Sequence, residues 1–296
     1  MLEPLPLEAS DPRSARTIHL MAEAERRAFA DRAAWLGDPD FFTVPLTGLL
    51  SKQYALTRAA DILPHRATPS AAVRAGDPRS VPLFGRSGRG WREPGTTPNM
   101  AESANTTHYA VVDRWKNVVA VTTTLNGMFG SKAVAAGTGV LLNNEMDDFS
   151  VKPGAPNLYG LVGGKANEIR PGKRPLSSMC PTIVLKNNQP WLVLGTPGGS
   201  TIITSVLQVF LNVVEHGMGL GQAVAAPRVH HQWLPDTISA EEGALSPGTV
   251  AELRAMGHTV SVREPIGDLH AIRIDPARGV LEGACDPRGA GEPRGR

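Results

Sequence analysis

The stretch Asn105-Thr106-Thr107-His108-Tyr109-Ala110-Val111-Val112-Asp113 divides this 296-residue chain into two kinds of sequence. Before it, from Pro64 to Ala104, Pro, Gly, Arg and Ser dominate, as in Gly85-Arg86-Ser87-Gly88-Arg89-Gly90, with no regular apolar spacing. Such a segment reads as a long mobile linker, and a loop of that length inside a compact domain is usually functional or disordered. After Asn105, Tyr109, Val111 and Asp113 alternate with Ala110 and Val112, and Asn117 opens a second run, Val118-Val119-Ala120-Val121-Thr122-Thr123-Thr124. Both runs predict strands, joined by a hairpin-like Asp113-Arg114-Trp115-Lys116-Asn117. A Thr-Thr pair heading a strand is in itself ordinary β-propensity. Its position at this junction points further. A threonine hydroxyl is protonated at neutral pH and is a weak nucleophile, but it gains an adjacent base if the bond before it is cut and its own α-amine is freed. A flexible segment leading into Thr106 is what that cleavage needs.

Outward from this stretch, further strands are predicted at 182–186 and 190–194, and near 258–262 and 269–274. A helix is expected over about 201–215, with Ile202, Val206, Val209, Phe210 and Val213 along one side, and another over 247–256. Upstream, residues 13–36 are rich in Ala, Glu, Arg and Leu, with Ile18, Met21, Ala22, Ala28 and Phe29 on one helical face. Asp11-Pro12 supplies a cap and first turn, and Gly37-Asp38-Pro39 a stop. A second helix is expected over 46–62. Helices and strands in separate runs imply layered α+β packing.

Composition excludes several classes. The 41% hydrophobic and 20% charged content is that of a soluble globular protein. A net charge of +2, with scattered arginines, gives no basic surface for nucleic acid. No run approaches the roughly 18 apolar residues of a membrane span. Residues 1–20 contain Glu3, Glu8, Asp11 and prolines, unlike a signal peptide. Cys180 and Cys285 have no metal-ligand spacing, and no carboxylate or cysteine completes the His230-His231 pair, so both histidines read as structural and no metal or cofactor is expected.

Thr106-Thr107-His108-Tyr109 followed by Val111-Val112-Asp113 resembles the start of the small subunit of the gamma-glutamyltransferases. The resemblance continues in order through Thr122-Thr123-Thr124-Leu125-Asn126, the run Leu141 to Phe149, Lys173-Arg174-Pro175-Leu176-Ser177-Ser178-Met179, Gly195-Thr196-Pro197-Gly198-Gly199-Ser200 and Ala226 to Gln232. It also reaches upstream, through Met21 to Glu25 and Ala30-Asp31-Arg32 to Gly37-Asp38-Pro39-Asp40, and so covers nearly the whole chain. It implies an α+β fold, the αββα sandwich of the N-terminal-nucleophile hydrolases, here partial. Residues 1–105 correspond to the C-terminal end of the large subunit, helical and then a linker over 64–105. Residues 106–296 correspond to the small catalytic subunit.

The resemblance implies residue roles as well. Autocatalytic cleavage between Asn105 and Thr106 frees the Thr106 amine. Thr106 then attacks the γ-carbonyl of a donor such as glutathione, and water or an amino acid or peptide amine takes the acyl group. Thr124 supports the nucleophile, and the backbone amides of Gly198 and Gly199 receive the oxyanion. Asn126, Glu145 and Asp148 hold the α-amino end of the glutamyl group, while Ser177 and Ser178 hold its α-carboxylate; Asp147 reads as structural. Residues 153–164 align with a lid bearing Tyr159 as its gating aromatic, and Gly154, Gly160, Gly163 and Gly164 give that lid mobility.

Family members use a large-subunit arginine on the substrate carboxylate, and no arginine of this chain is assigned to it. The chain is therefore expected to need a partner portion, since strands lacking their neighbours leave apolar faces and edges open. The resemblance implies a periplasmic or extracellular location; the absence of a signal peptide here leaves the cytoplasm open. Two alternatives stand beside this reading. A related acylase would act on glutaryl or β-lactam side chains, against which Asn126, Glu145 and Asp148 speak, because they suit an ammonium such substrates lack. The other is an inactive fragment.

Overall fold

A computed structural model describes residues 1–5, 7, 10–79, 106–275 and 278–295. Its elements are mixed α and β, in two compact units that interleave along the chain. Among the described residues, the first unit takes in 1–79, 146–177 and 230–263, and the second 106–145, 178–229 and 264–295. This partition is of packing and differs from the covalent division expected at Thr106. Asn105 and most of the expected linker lie outside the described residues.

In the first unit, helix α1 spans Ala15–Trp35. Ser14 is its N-cap, its hydroxyl accepting from the Thr17 amide, and not Asp11, whose carboxylate accepts from Arg13 N–H instead. The expected apolar face is also corrected: Ala28 is exposed, whereas Glu23, Arg26, Arg27 and Asp31 are buried. Those charges tolerate burial because they are paired. Glu23 contacts Arg27 at 2.7 Å and Arg26 at 3.3 Å, and Asp31 receives Arg58 at 3.0 Å and the Tyr54 hydroxyl at 2.9 Å. The single helix expected over 46–62 is two, α2 (Leu46–Leu49) and α3 (Lys52–Ala59). The Ser51 hydroxyl caps the Tyr54 amide and starts the second afresh.

The second unit contains the strand-rich region. β1 (Thr106–Val112) and β2 (Val118–Thr124) form an antiparallel hairpin with Thr106 opposite Thr124. Asp113 fixes that register: its carboxylate accepts from the amides of Trp115 and Asn117, each at 2.8 Å, and Lys116 adopts φ 70°. A slip of one residue would turn every side chain to the opposite face. Four more strands form an antiparallel sheet in the order β3 (Thr182–Lys186), β4 (Gln189–Gly195), β8 (His270–Asp275), β9 (Val280–Cys285). Sequence periodicity missed β9, whose apolar run is broken by Glu282 and Gly283.

Helices α4 (Thr201–Val214) and α5 (Leu220–Ala225) cover one face of this sheet. Leu192 and Leu194 of β4 point into a core with Ile202, Val206, Val209 and Val213 of α4, the stripe expected from sequence. Phe210 packs at its edge. The opposite face meets the hairpin, where the His108 ring lies against Gly195. Helices, sheet and hairpin thus stack in three layers.

Residues 229–263 carry β5 (Val229–His230), β6 (Ile238–Glu241), α6 (Pro247–Ala255) and β7 (Val260–Arg263). β6 and β7 run parallel in the first unit, with α6 as their crossover. Both β6 and β5 were too short to read from periodicity.

Candidate active site

The hairpin brings the two threonines together. Thr106, two residues before the buried His108 and so on the same side of the strand, shares its face with Thr124 across the rung. Their Oγ1 atoms are 2.7 Å apart, and Thr124 Oγ1 also accepts from the Asn126 amide at 2.8 Å. Asn126 adopts φ 69°, a conformation asparagine tolerates better than most residues. Its side-chain amide donates to the Asn144 carbonyl at 3.2 Å, while the Asn144 side-chain oxygen accepts from Gly127 N–H at 2.7 Å. Asn143 then accepts from the Glu145 amide at 2.9 Å. A continuous set of short bonds therefore runs from Thr106 through Thr124 and Asn126 to the segment carrying Glu145.

His108 lies one alternation beyond Thr106. Its Nδ1 meets Thr122 Oγ1 at 2.8 Å, and its carbonyl accepts from His270 Nδ1 at 2.7 Å. Burial holds its pKa down to about 4, with nearby His270 adding to the effect. His108 is therefore a neutral imidazole at pH 7.

Gly198 and Gly199 precede α4 with φ 136° and 56°; the first is open only to glycine and the second favours it. The Thr196 hydroxyl holds their turn, donating to the Pro197 carbonyl at 2.7 Å and accepting from Asp268 N–H at 2.9 Å. The Gly198 carbonyl accepts from both the amide and hydroxyl of Thr201. Among the described residues, no backbone acceptor takes the amides of Gly198 and Gly199 themselves. With the start of α4 behind them, they form an electropositive backbone corner suited to an oxyanion. Ser178 belongs to this second unit as well.

Asp148, Ser177 and Tyr159 belong to the first unit. Arg32 of α1, half-buried, donates to the Ser177 carbonyl at 3.4 Å and interacts electrostatically with Asp148. Burial lowers its pKa to about 10, Asp148 acting in the opposite sense. Arg174 forks onto Asp38, at 3.0 and 2.6 Å, and reaches Asp40 at 2.5 Å, which anchors the loop before Ser177 to the Gly37–Asp40 turn.

Residues 153–164 form a closed turn. Gly154 N–H donates to the Gly163 carbonyl, and the Asn157 side chain accepts from Tyr159 and Leu161 amides. Asp147 accepts from Leu158 N–H at 2.9 Å, and Gln232 donates to the Tyr159 carbonyl at 2.9 Å. Gly154 and Gly160 have positive φ, but Gly163 and Gly164 are there for close approach, to Ser150 Oγ and the Ala33 carbonyl.

A family model described as Gamma-glutamyltranspeptidase matches residues 1–295. The chain belongs to the gamma-glutamyltranspeptidase family. It is 49% identical over 275 residues to a glutathione hydrolase proenzyme of Escherichia coli, covering 93% of this chain and 44% of that protein. The chain thus spans about half the length of the curated relatives it matches. A solved gamma-glutamyltranspeptidase chain from Helicobacter pylori is 55% identical, with a TM-score of 0.60, covering 62% of this chain and 100% of that one. A cephalosporin acylase from Bacillus halodurans is 25% identical with a TM-score of 0.74, covering 94% of this chain and 44% of that one. The α+β fold is that of the N-terminal-nucleophile hydrolases.

Within this transpeptidase-family chain, the paired histidines have protein partners: His230 Nε2 meets Gln232 Oε1 at 2.8 Å, and His231 Nδ1 accepts from Trp233 N–H at 3.1 Å. A buried trio that sequence spacing did not show, His19, Glu23 and His258, gathers possible metal ligands within 4.8 Å. Its donor atoms are already engaged. His19 Nδ1 bonds His258 Nε2 at 2.8 Å, and Glu23 is taken by Arg26, Arg27 and the Thr68 amide. Two guanidiniums on the one carboxylate oppose a further cation. The sequence pattern assigned no role to Arg32, Asn144 or Asn167, polar residues whose side chains bond to residues 9 to 145 positions away.

Proposed function

We propose that this chain carries the catalytic part of a gamma-glutamyl acyl-transfer enzyme, with Thr106 as nucleophile. The observation that carries this is the Thr106–Thr124 hydroxyl pair at 2.7 Å, at the head of the strand where a freed amine would stand. Cleavage between Asn105 and Thr106 supplies that amine. It takes the Thr106 hydroxyl proton as Oγ1 attacks the γ-carbonyl. The carbonyl oxygen becomes an oxyanion, received by the Gly198 and Gly199 amides. Its collapse expels the donor's amine, which takes the proton from the Thr106 ammonium, and leaves a γ-glutamyl ester on Oγ1. Water releases glutamate, or an amino acid or peptide amine accepts the acyl group. Asn126, Glu145 and Asp148 pair the substrate ammonium, and Ser177 and Ser178 receive its carboxylate.

Glutathione is the donor class that the related glutathione hydrolases support. We further assign the protein to the periplasm or the cell exterior, a reading drawn from the family resemblance and tested by cell fractionation. The catalytic unit is a heterodimer of its processed pieces, completed by an upstream portion that supplies the missing arginine. Exposed Tyr109, Val111 and Val119 on the outer hairpin face suit such a partner. A cooperative, monomeric melt of the isolated chain would argue against it. Among the described residues, no helix is long and apolar enough to cross a membrane.

The likeness to a cephalosporin acylase keeps a second reading in view. Hydrolysis of a chromogenic γ-glutamyl anilide and a glutaryl anilide, each with and without glycylglycine, separates the two. Turnover of the γ-glutamyl compound, stimulated by glycylglycine, is expected. Preference for the glutaryl compound selects the acylase, and turnover of neither selects an inactive fragment.

A further inference from the structure

We propose that Asn167 is a positioning residue that fixes the spacing between the ammonium grip at Asp148 and the carboxylate grip at Ser177. The inference rests on the γ-glutamyl reading above. Asn167 is 5% exposed and lies in the first unit with both segments. Its carboxamide bridges them directly: Nδ2 donates to the Asp148 carbonyl at 2.7 Å, and Oδ1 accepts from the Leu176 amide at 3.0 Å. Its own carbonyl accepts from the Ser150 amide at 2.9 Å, and its amide donates to the Gly164 carbonyl at 3.2 Å. One side chain thus ties the residue that carries one grip to the residue preceding the other, while its backbone is pinned on both sides.

The chemistry requires such a tie. The ammonium and carboxylate of an α-amino acid hang from one carbon, so their separation is fixed. Groups that bind both must keep a matching separation, and errors near 1 Å are costly. Asp148 ends a single 3-10 turn (Glu145–Asp148) and Ser177 lies in a loop, neither of which holds distances as a long helix or strand does. Arg32 adds a second brace: it donates to the Ser177 carbonyl and attracts Asp148. A carboxamide suits the bridge because it offers a donor at one end and an acceptor at the other. A carboxylate of the same shape would set an oxygen against the Asp148 carbonyl.

The test compares wild type, Asn167→Ala and the isosteric Asn167→Asp in the full polypeptide. It measures KM and kcat on a γ-glutamyl anilide and a glutaryl anilide, and hydrogen exchange of the Leu176 amide. Expected are a rise of about 10-fold or more in KM for the γ-glutamyl donor, kcat held within about 3-fold, and a smaller effect on the glutaryl compound. The Leu176 amide should exchange faster in Asn167→Ala, which removes its acceptor, whereas Asn167→Asp keeps that acceptor and loses only the bond to the Asp148 carbonyl. Equal losses on the two donors, unchanged KM in either variant, or an unchanged Leu176 amide in Asn167→Ala overturns the assignment. If Asn167→Ala does not fold, the KM of Asn167→Asp decides alone. A wild type inactive on the γ-glutamyl anilide overturns the function itself, and the spacing role with it; wild-type turnover with no KM change overturns the spacing role only.

Discussion

Thr106 and Thr124 face each other across the terminal rung of one hairpin, hydroxyl to hydroxyl at 2.7 Å. Because Thr124 Oγ1 also accepts from the Asn126 amide, its orientation is set independently of Thr106. The pair is therefore built by the register, and the register by the Asp113 turn. Thr124→Val keeps the shape and removes the hydroxyl. A loss of about 10²-fold in kcat/KM on a γ-glutamyl anilide is expected, with Thr124→Ser recovering most of it. A Val variant as active as wild type would show that the pair does no catalytic service.

Thr106 is proposed to cut its own chain. On a denaturing gel, wild type should split between Asn105 and Thr106, and Thr106→Ala should stay whole and lose at least about 10³-fold in activity. A wild-type protein that never splits, with its upstream portion present, would defeat the catalytic reading.

Gly195 is where β4 passes the hairpin. A Cβ there would stand 2.3 Å from His108 Cε1 and Nδ1, atoms of a rigid ring pinned by Thr122. Gly195→Ala should cost about 1–3 kcal/mol through overpacking, read as a lower denaturant midpoint. Unchanged stability would mean that the ring and strand are free to separate.

Arg228 and Asp286 form a buried ion pair at 2.6 Å, and Arg228 also donates to the Val224 and Ile266 carbonyls. Removing Asp286 takes the carboxylate from a guanidinium in the second unit's interior, whereas Asp286 without Arg228 still keeps Arg288 at 2.8 Å. Asp286→Ala should cost about 3–5 kcal/mol, Arg228→Met less, and the double variant clearly less than the two losses combined. Denaturant titration of the three variants measures this, and additive losses would refute the coupling.

Acidification should destabilise the fold before the carboxylates titrate. Burial lowers His230 and His258 to about 3 and His108 to about 4. Below the ordinary histidine value of about 6.5, the unfolded chain takes up these protons and the folded chain does not. Stability conferred by these neutral histidines is thus complete above about pH 6.5 and falls as pH drops toward 4. Buried Glu25, raised well above its ordinary value, works in the opposite sense as a single group. Melting temperature should fall between pH 7 and pH 5; a flat or rising profile would contradict the buried, neutral state of these rings.

Much of the candidate site, as proposed, rests on patterns carried by the sequence alone. A strand beginning at a threonine after a Gly/Pro/Arg segment, and ordered motifs through Gly198-Gly199, are local patterns. So was the α4 stripe, because helix period and strand alternation are written residue by residue. The sequence also determined the hairpin's turn chemistry at Asp113, and with it the opposition of Thr106 and Thr124. Tertiary structure alone decided the rest. It selected Ser14 over Asp11 as the cap of α1, paired the charges that let α1 be buried, and gave Gly163 and Gly164 close packing where flexibility was expected. It also placed the Asn167 carboxamide between Asp148 and Leu176, residues 19 and 9 positions away. Such hydrogen bonds depend on which segments folding brings within about 3 Å, and no one-dimensional pattern carries that distance.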